Sequence, residues 1–182
     1  KSAIIDLNDT TFSLLPATPE LTESEVKLIS SEQKEYTLRN VLKTIDQDYD
    51  YIIIDCPPSL NILTVNALSA ATGVLIPVQC EFFALQGLSE LITTIDTIKN
   101  SSNEDLIIKG IIRTMFDPRN NLATDVSAQL LKFFDEKVYR TIIPRNITLA
   151  EAPSHGMPVI NYDKGSKGAL SYLSLVGEII KQ

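Results

Sequence analysis

Three consecutive isoleucines at residues 52–54 constrain the fold of this chain more than any other stretch. A run of β-branched residues without polar alternation is typical of a strand covered on both faces in the interior of a parallel sheet. The run ends in a lone acid, Asp55, and the prolines at 57 and 58 cannot continue a strand. Because open α/β sheets bind ligands at the carboxyl ends of their strands, Asp55 is the first candidate for chemistry. The alternative is an acid that caps the next turn.

The rest of the chain alternates between helix-like and strand-like stretches. Apolar residues recur at helical spacing in six segments, which predict helices near residues 19–30, 34–48, 61–71, 84–99, 120–134 and 168–181. Short apolar runs predict strands near residues 11–15, 73–77, 106–114 and 138–143, and residues 1–8 indicate the end of a helix. Strands separated by helix-length segments are typical of βαβ units. We therefore expect an α/β fold: a doubly wound, mostly parallel sheet with helices on both faces.

Length and composition indicate a single α/β domain over residues 1–182, with 44% hydrophobic residues to form its core. The formal net charge of −7 gives no general attraction to nucleic acid or anionic lipid, so a DNA contact needs a local basic patch. Cys56 and Cys80 both follow apolar runs and belong to no Cys-x-x-Cys pair. This usage predicts reduced core thiols and a cytoplasmic protein.

The sequence contains no phosphate-binding loop of the Gly-x-x-x-x-Gly-Lys type, and its first glycine is Gly73. Such a loop needs glycines so that backbone N–H groups can close around the phosphates, and a lysine to meet their charge. Glycines do flank Ser166 and Lys167 near the end of the chain, but no predicted strand precedes them. We interpret this segment as the entry to a helix, with an anion site as the alternative.

Several ordered segments together carry a more specific signal. They are Tyr49–Leu60, Asn66–Leu68, Ile76–Glu81 with Ala84–Leu88, Thr114–Asn120, Ile143–Asn146, Glu151–Gly156 and Ser166–Ala169. In this order they closely resemble the ParA/Soj family of chromosome and plasmid partition ATPases, from Leu14 to the end of the chain. Because the motifs are long and ordered, a chance match is improbable.

The resemblance implies a P-loop NTPase-like fold and a Walker-type ATPase that holds ATP and Mg²⁺ between two subunits. In that family the ATP-bound homodimer binds DNA without sequence preference, is associated with the nucleoid and is stimulated by a ParB-type centromere-binding partner; no membrane contact is implied. The family's phosphate loop precedes all the segments found here. We therefore expect the chain to be an N-terminally truncated, carboxyl-terminal portion of an ATPase, inactive alone. Asp6 superficially matches the acid-bearing strand after that loop, but Leu14–Thr18 fits a later family strand better.

The resemblance also assigns roles to four residues. Asp55 matches the catalytic Walker B acid, which holds Mg²⁺ through water. Pro144 and Asn146 match a loop that packs on the adenine and hydrogen-bonds to it, and the structural alternative for both is a strand-ending turn. Arg119 matches an arginine that contacts DNA phosphates, against the alternative of a solvated surface charge. Thr148 stands where close relatives often carry a basic residue, which weakens the DNA interpretation.

Two other functions remain open. A MinD-like, membrane-associated regulator of cell division uses the same fold with a basic amphipathic terminal helix. The apolar residues at 170, 173, 176, 179 and 180 have helical spacing, but Lys181 is the one basic residue between Ser171 and Gln182, so we predict that this helix packs on the sheet. The other alternative is a protein-binding scaffold fragment that does not hydrolyse ATP.

Three further polar residues draw attention because of where they stand. His155, the one histidine, lies in a segment rich in turn residues without a partner nucleophile, so we interpret it as a structural loop residue. Gln79 and Glu81 follow the strand predicted at residues 73–77. They are candidates for lining a nucleotide or a dimer face.

Overall fold

The computed structural model describes residues 3–7, 12–57 and 59–182. These residues form two compact units, one within residues 1–72 and 97–106 and one within residues 73–96 and 107–182. Each unit is described by itself below. The single domain that the sequence predicts over residues 1–182 stays a prediction.

The elements follow the predicted alternation along most of the chain. The helices are α1 (Leu21–Ile29), α2 (Thr37–Leu42), α3 (Ile62–Ala70), α4 (Ala84–Ser101), α5 (Asn121–Phe134), α6 (Ile147–Glu151), α7 (Val159–Tyr162) and α8 (Lys167–Ile179). The strands are β1 (Ile5–Asp6), β2 (Ser13–Leu14), β3 (Gly73–Gln79), β4 (Ile107–Phe116) and β5 (Val138–Pro144). Short 3-10 turns cover Lys34–Tyr36, Asp46–Asp48, Asp135–Lys137 and Ala152–His155.

The second unit is built on a parallel sheet in the order β3-β4-β5. Successive residues of a strand point to opposite faces, and Ile112 and Arg113 of β4 illustrate this. Ile112 packs on one face in a buried cluster with Ile143 of β5 and Leu175 of α8. Arg113 bonds on the other face to Ser127 of α5. Helices therefore cover both faces of a parallel sheet, which confirms the predicted fold class.

Arg113 is a buried cation in the interior of this unit, with 5% of its surface exposed. Its Nη1 donates to Ser127 Oγ at 3.0 Å, and its Nη2 donates to the carbonyl oxygens of Tyr139 and Arg140 at 2.9 and 3.2 Å. Its buried Nε has no hydrogen-bond partner among the described residues. Burial lowers the pKa of the guanidinium, which nevertheless stays charged at any physiological pH. The side chain thus ties β4 to both α5 and β5.

Glu178 of α8 ties β5 to the helix on the opposite face. Its carboxylate accepts hydrogen bonds from the backbone N–H groups of Arg140 and Thr141, both at 2.9 Å, and from Thr141 Oγ1 at 2.7 Å. Burial favours the neutral acid, but the hydrogen bonds from Thr141 and Arg140 outweigh it and lower the pKa of Glu178. These bonds hold α8 against β5.

Two buried asparagines organise the first unit. Asn66 of α3 donates from Nδ2 to the carbonyl of Lys34 at 2.8 Å and accepts from the backbone N–H of Leu38 at 3.1 Å. Asn103 donates to the carbonyls of Leu68 and Ala71 at 2.8 and 2.7 Å. Because buried carbonyls need donors, these amides fix the segments on either side of α3.

The expected central strand is wrong in this structure. Residues 51–57 pair with no strand among the described residues, and the side chain of Ile53 is 92% exposed. Three isoleucines favour an extended chain, but a strand also needs a hydrogen-bonding neighbour, and none of the described strands pairs with this segment. Cys56 is consequently exposed rather than buried, whereas Cys80 lies in the core as predicted.

Two further helix predictions need correction. Residues 5 and 6, predicted as part of a helix end, form β1, which pairs antiparallel with β2. The helix predicted at 34–48 is interrupted: α2 covers its middle, and 3-10 turns lie before and after it. Among described residues 3–7, 12–57 and 59–182, no helix has the length and apolar character needed to cross a membrane.

Helix α8 packs on β5 through one side and leaves an apolar side open. Its buried residues are Gly168, Ala169 and Leu175. The apolar residues that suggested packing on the sheet are mostly on the open side: Leu170, Leu173, Val176 and Ile180 are 43 to 62% exposed. That part of the prediction is wrong, because the spacing that predicts an amphipathic helix does not say which side meets the sheet.

We predict that Arg113→Ala lowers the free energy of unfolding by about 2–4 kcal/mol, because it leaves Ser127 and two strand carbonyls without their donor. Chemical denaturation followed by circular dichroism measures this change. Arg140→Ala is the matched control, since Arg140 is exposed; a loss below about 0.5 kcal/mol is expected there. Equal losses for the two variants contradict a structural role for the Arg113 guanidinium.

Candidate functional site

The loops that follow β4 and β5 lie side by side at the carboxyl edge of the sheet. Phe116, the last residue of β4, is in register with Pro144, the last residue of β5. The backbone N–H of Arg145 donates to the carbonyl of Phe116 at 3.0 Å. This contact brings together three of the predicted site residues, Arg119 after β4 and Pro144 and Asn146 at the end of β5. The carboxyl edge of a parallel sheet is where such folds bind ligands.

Asp117 holds Arg119 in a two-point ion pair. Arg119 donates from Nε to Oδ1 at 3.0 Å and from Nη2 to Oδ2 at 2.8 Å, and its backbone N–H also donates to Oδ1 at 3.0 Å. The Arg119 side chain is 88% exposed. A guanidinium carries five N–H donors, and Asp117 uses two of them. The other edge of Arg119 therefore faces solvent in a fixed orientation.

The charges around Asp117 are unbalanced towards the positive. The side-chain and backbone hydrogen bonds from Arg119 lower the pKa of Asp117 to about 2, with a smaller contribution from the positive charge of Arg145. The same ion pair raises the pKa of Arg119. Two arginines thus flank one carboxylate, so this loop cluster carries a local positive charge on a chain whose net charge is −7.

Asn146 is positioned by the helix that it begins. Its Oδ1 accepts from the backbone N–H of Leu149 at 3.2 Å, which caps α6. Its Nδ2 makes no hydrogen bond within the described part of the chain. Pro144 and Asn146 are both half-buried. The pair offers an apolar ring next to a free amide donor, which is the chemistry that a flat heteroaromatic base requires.

Asp55 belongs to the first unit, whereas Arg119, Pro144 and Asn146 belong to the second. Asp55 is exposed, and its carboxylate makes no hydrogen bond or salt bridge with a described residue. Burial, together with the negative charge of Asp55, raises the pKa of the Cys56 thiol. The described residues form no cluster of three metal ligands. A single free carboxylate fits Mg²⁺ that is held largely by water and substrate phosphates, as Mg²⁺ usually is.

Sequence reasoning missed the backbone geometry that precedes Asp117. Met115 has a φ of 52°, and the pairing of β4 with β5 shifts register between Arg113 and Phe116. A bulge at a strand end redirects the residues that follow it. Methionine carries no signal for such a conformation, so the pattern of residues did not reveal it.

Three minor predictions have clear outcomes. Ser166 caps α8 by accepting from the N–H of Ala169 at 3.2 Å, which confirms a helix entry at this segment. His155 stacks on Tyr162 with ring centroids 4.9 Å apart, in agreement with a structural role. Thr148 lies within α6 and is half-buried, so no basic side chain extends the arginine pair at that position.

A family profile described as an AAA domain matches residues 1–108. The chromosome partitioning protein ParA of Myxococcus xanthus is 51% identical over 169 residues, which are 93% of this chain and 60% of that protein. The sporulation initiation inhibitor protein Soj of Bacillus subtilis is 49% identical over 166 residues, 91% of this chain and 66% of that protein. The chain thus spans about two thirds or less of the length of these relatives.

Among solved structures, cobyrinic acid a,c-diamide synthase from Mycobacterium smegmatis with bound ATP analog and magnesium is similar to this chain. The TM-score is 0.77 at 33% sequence identity, and the match covers 94% of this chain and 62% of that protein. This likeness agrees with a P-loop NTPase-like α/β fold.

We predict that the Asp117 carboxyl titrates with a pKa of about 2 in an NMR pH titration. Arg119→Gln should move this pKa upwards towards the ordinary aspartate value, because the charged side-chain donors are lost. The folded-state pKa lies below the unfolded one, so the stabilisation is complete above the ordinary value and is lost as pH falls towards about 2. Lys132→Gln is the control and should leave the pKa unchanged. An unchanged pKa in Arg119→Gln contradicts the ion pair.

Proposed function

Because this chain belongs to the ParA/Soj family of chromosome-partitioning ATPases, we propose that it is the carboxyl-terminal portion of an ATP-hydrolysing DNA-partition protein. The observation that carries this proposal is the cluster at the carboxyl edge of the sheet, where an arginine pair lies beside a base-sized apolar and amide surface. One surface suits DNA phosphates and the other suits adenine. An ATP-dependent DNA-binding protein needs both.

The nucleotide part of the proposal assigns roles to three residues. Pro144 packs against the adenine, and the free Nδ2 of Asn146 donates to a ring nitrogen of the base. Asp55 orients Mg²⁺ through bound water. Mg²⁺ supplies charge neutralisation for the phosphates when it is bound. The ATP analog and magnesium in the similar Mycobacterium smegmatis structure support this assignment. No phosphate-binding loop lies within these 182 residues, so we propose that they do not turn over ATP alone.

The DNA part of the proposal rests on Arg119 and Arg145. Asp117 orients Arg119 and leaves the outward edge of its guanidinium open to a phosphate oxygen. Two arginines on one exposed loop cluster contact the phosphate backbone and not base edges, which gives binding without sequence preference. The net charge of −7 keeps this binding weak and dependent on salt.

Assembly and location follow from the family. We propose that the ATP-bound protein is a homodimer with ATP between its subunits, that a ParB-type centromere-binding partner stimulates hydrolysis, and that the protein acts on the nucleoid in the cytoplasm. The two ParA/Soj relatives, matched over more than 90% of this chain, support this part of the proposal. Neither the replicon nor the particular partner follows from these residues.

The open apolar side of α8 is the one observation that favours the alternative, a MinD-like membrane-associated regulator. Leu170, Leu173 and Ile180 are exposed along this helix, as a membrane-surface helix requires. Between residues 167 and 182, however, Lys167 and Lys181 are the only basic residues. Such a helix gains little from anionic lipid, so the partition function is the better supported of the two.

We predict that Asp55→Ala lowers ATP turnover by about 10- to 100-fold in the protein that includes the phosphate-binding loop, because a residue that acts through metal-bound water is lost. A phosphate-release assay with Mg²⁺ measures the rate. The thermal unfolding midpoint should not change, since the carboxylate is exposed and makes no described hydrogen bond. Asp50→Ala, an exposed acid of the same segment, is the control and should hydrolyse ATP normally. Normal turnover by Asp55→Ala removes Asp55 from the site.

We predict that Arg119→Ala weakens DNA binding equally on two unrelated duplexes and lowers the slope of log affinity against log salt by about 1 for each phosphate that the arginine neutralises. The measurement is a salt titration by fluorescence anisotropy, with the full-length protein and ATP. Lys27→Ala, which removes an exposed charge of α1, is the control and should keep the wild-type slope. If Arg119→Ala binds like wild type, the phosphate contacts lie elsewhere, with Lys132, Lys137, Arg140 and Arg145 as the next candidates.

A further inference from the structure

The carboxyl end of β3 and the start of α4 enclose an apolar groove of about 450 Å³ within the second unit. The buried side chains of Val78 and Leu88 and the half-buried Leu91 line it. Gly87 adds no side chain, and a Cβ at this position meets nothing within 4 Å. The groove is therefore open along one turn of the helix and is wide enough to take a large apolar side chain.

Phe82 and Phe83 form an exposed aromatic lip on this groove. Each is 72% exposed, and the two rings meet edge to face with centroids 5.0 Å apart. Backbone hydrogen bonds from Glu81 to Gln79 at 2.8 Å and from Ala84 to Glu81 at 3.0 Å hold the turn that carries them. Two exposed phenylalanines on a fixed turn next to an apolar groove are typical of a protein-binding surface, because aromatic anchors contribute strongly to interfaces.

The charge around the groove selects its occupant. From Gly73 to Ile98 the chain carries Glu81, Glu90 and Asp96 but no lysine, arginine or histidine. Glu81 itself lines the groove. A second copy of this chain, with its net charge of −7, would bring like charges together at this lip. A basic segment would instead gain from the acids at the rim while its apolar side chains fill the groove.

We propose that this groove binds a peptide segment of another protein in which one or two large apolar side chains are flanked by lysine or arginine. The apolar side chains enter between Phe82, Phe83 and Leu88, and the basic residues face Glu81 and Glu90. This inference does not depend on ATP or DNA binding. Its failure would leave the proposed function untouched.

Selection of a phage-displayed random dodecapeptide library on the 182-residue chain tests the proposal. The enriched peptides should combine large apolar residues with lysine or arginine. A synthetic, fluorescein-labelled peptide of the recovered consensus is then titrated by anisotropy. Recovery of no consensus, or of acidic peptides, overturns the proposal.

Variants locate the binding site. The double variant Phe82→Ser, Phe83→Ser should weaken binding of the consensus peptide about tenfold or more, since the loss of an interface anchor has this size. Glu81→Lys should weaken it as well, and more at low salt than at high salt. The controls are Phe133→Ser, which removes a phenylalanine that is 65% exposed on α5, and Glu136→Lys. Both controls should bind like wild type, and equal losses in variants and controls place the peptide elsewhere and overturn the proposal.

Two measurements separate peptide binding from misfolding and from self-association. The circular dichroism melting curve of the double serine variant should match wild type, because both side chains are mostly exposed. Analytical ultracentrifugation tests for the second copy as occupant. A dimer of the wild-type chain that the double serine variant abolishes assigns the groove to self-association and overturns the peptide proposal.

Discussion

The guanidinium of Arg113 is the interaction on which the second unit depends. A charge shut inside a protein is costly unless its donors are met, and this one is met by Ser127 of α5 and by two carbonyls of β5. These acceptors cannot move apart without leaving a buried charge unpaired. Arg113 therefore sets the position of α5 and of the start of β5 relative to β4, while Glu178 holds α8 to β5 from the other face.

The position of β5 beside β4 decides what happens at the carboxyl edge of the sheet. Once Phe116 and Pro144 are in register, the loop with Arg119 must lie next to the loop with Arg145 and Asn146. Asp117 then acts in two ways on Arg119: it fixes the orientation of the guanidinium and neutralises part of its charge. A phosphate that approaches this cluster meets an ordered donor edge but competes with a neighbouring carboxylate, which suits reversible binding better than tight binding.

The three strands of this sheet run parallel, so their carboxyl ends meet at one edge. β3 leads to the groove with Phe82 and Phe83, β4 leads to Asp117 and Arg119, and β5 leads to Asn146. A protein-binding surface, a phosphate-binding arginine pair and a base-binding amide are thus proposed on neighbouring loops of one rigid sheet. Loops at the strand ends vary without disturbing the core, which is why one fold carries several binding functions.

What the sequence determines by itself is local. The apolar spacing of residues 84–99 and 120–134 predicts α4 and α5 within two residues at each end, and short apolar runs predict β4 and β5, because periodicity depends on near neighbours in the chain. Order along the chain then predicts a parallel sheet, and with it the meeting of Arg119, Pro144 and Asn146.

What only the tertiary structure decided depends on partners distant in sequence. Residues 52–54 have the composition of a central strand, yet they pair with no described strand, since a ladder needs a neighbour as well as a propensity. Arg113 sits in an apolar run where its burial has no local signal, and Phe82 and Phe83 look like core residues until their exposure is seen. The physical reason is the same in each case: propensity and periodicity act over a few residues, whereas burial and pairing are properties of the packed chain.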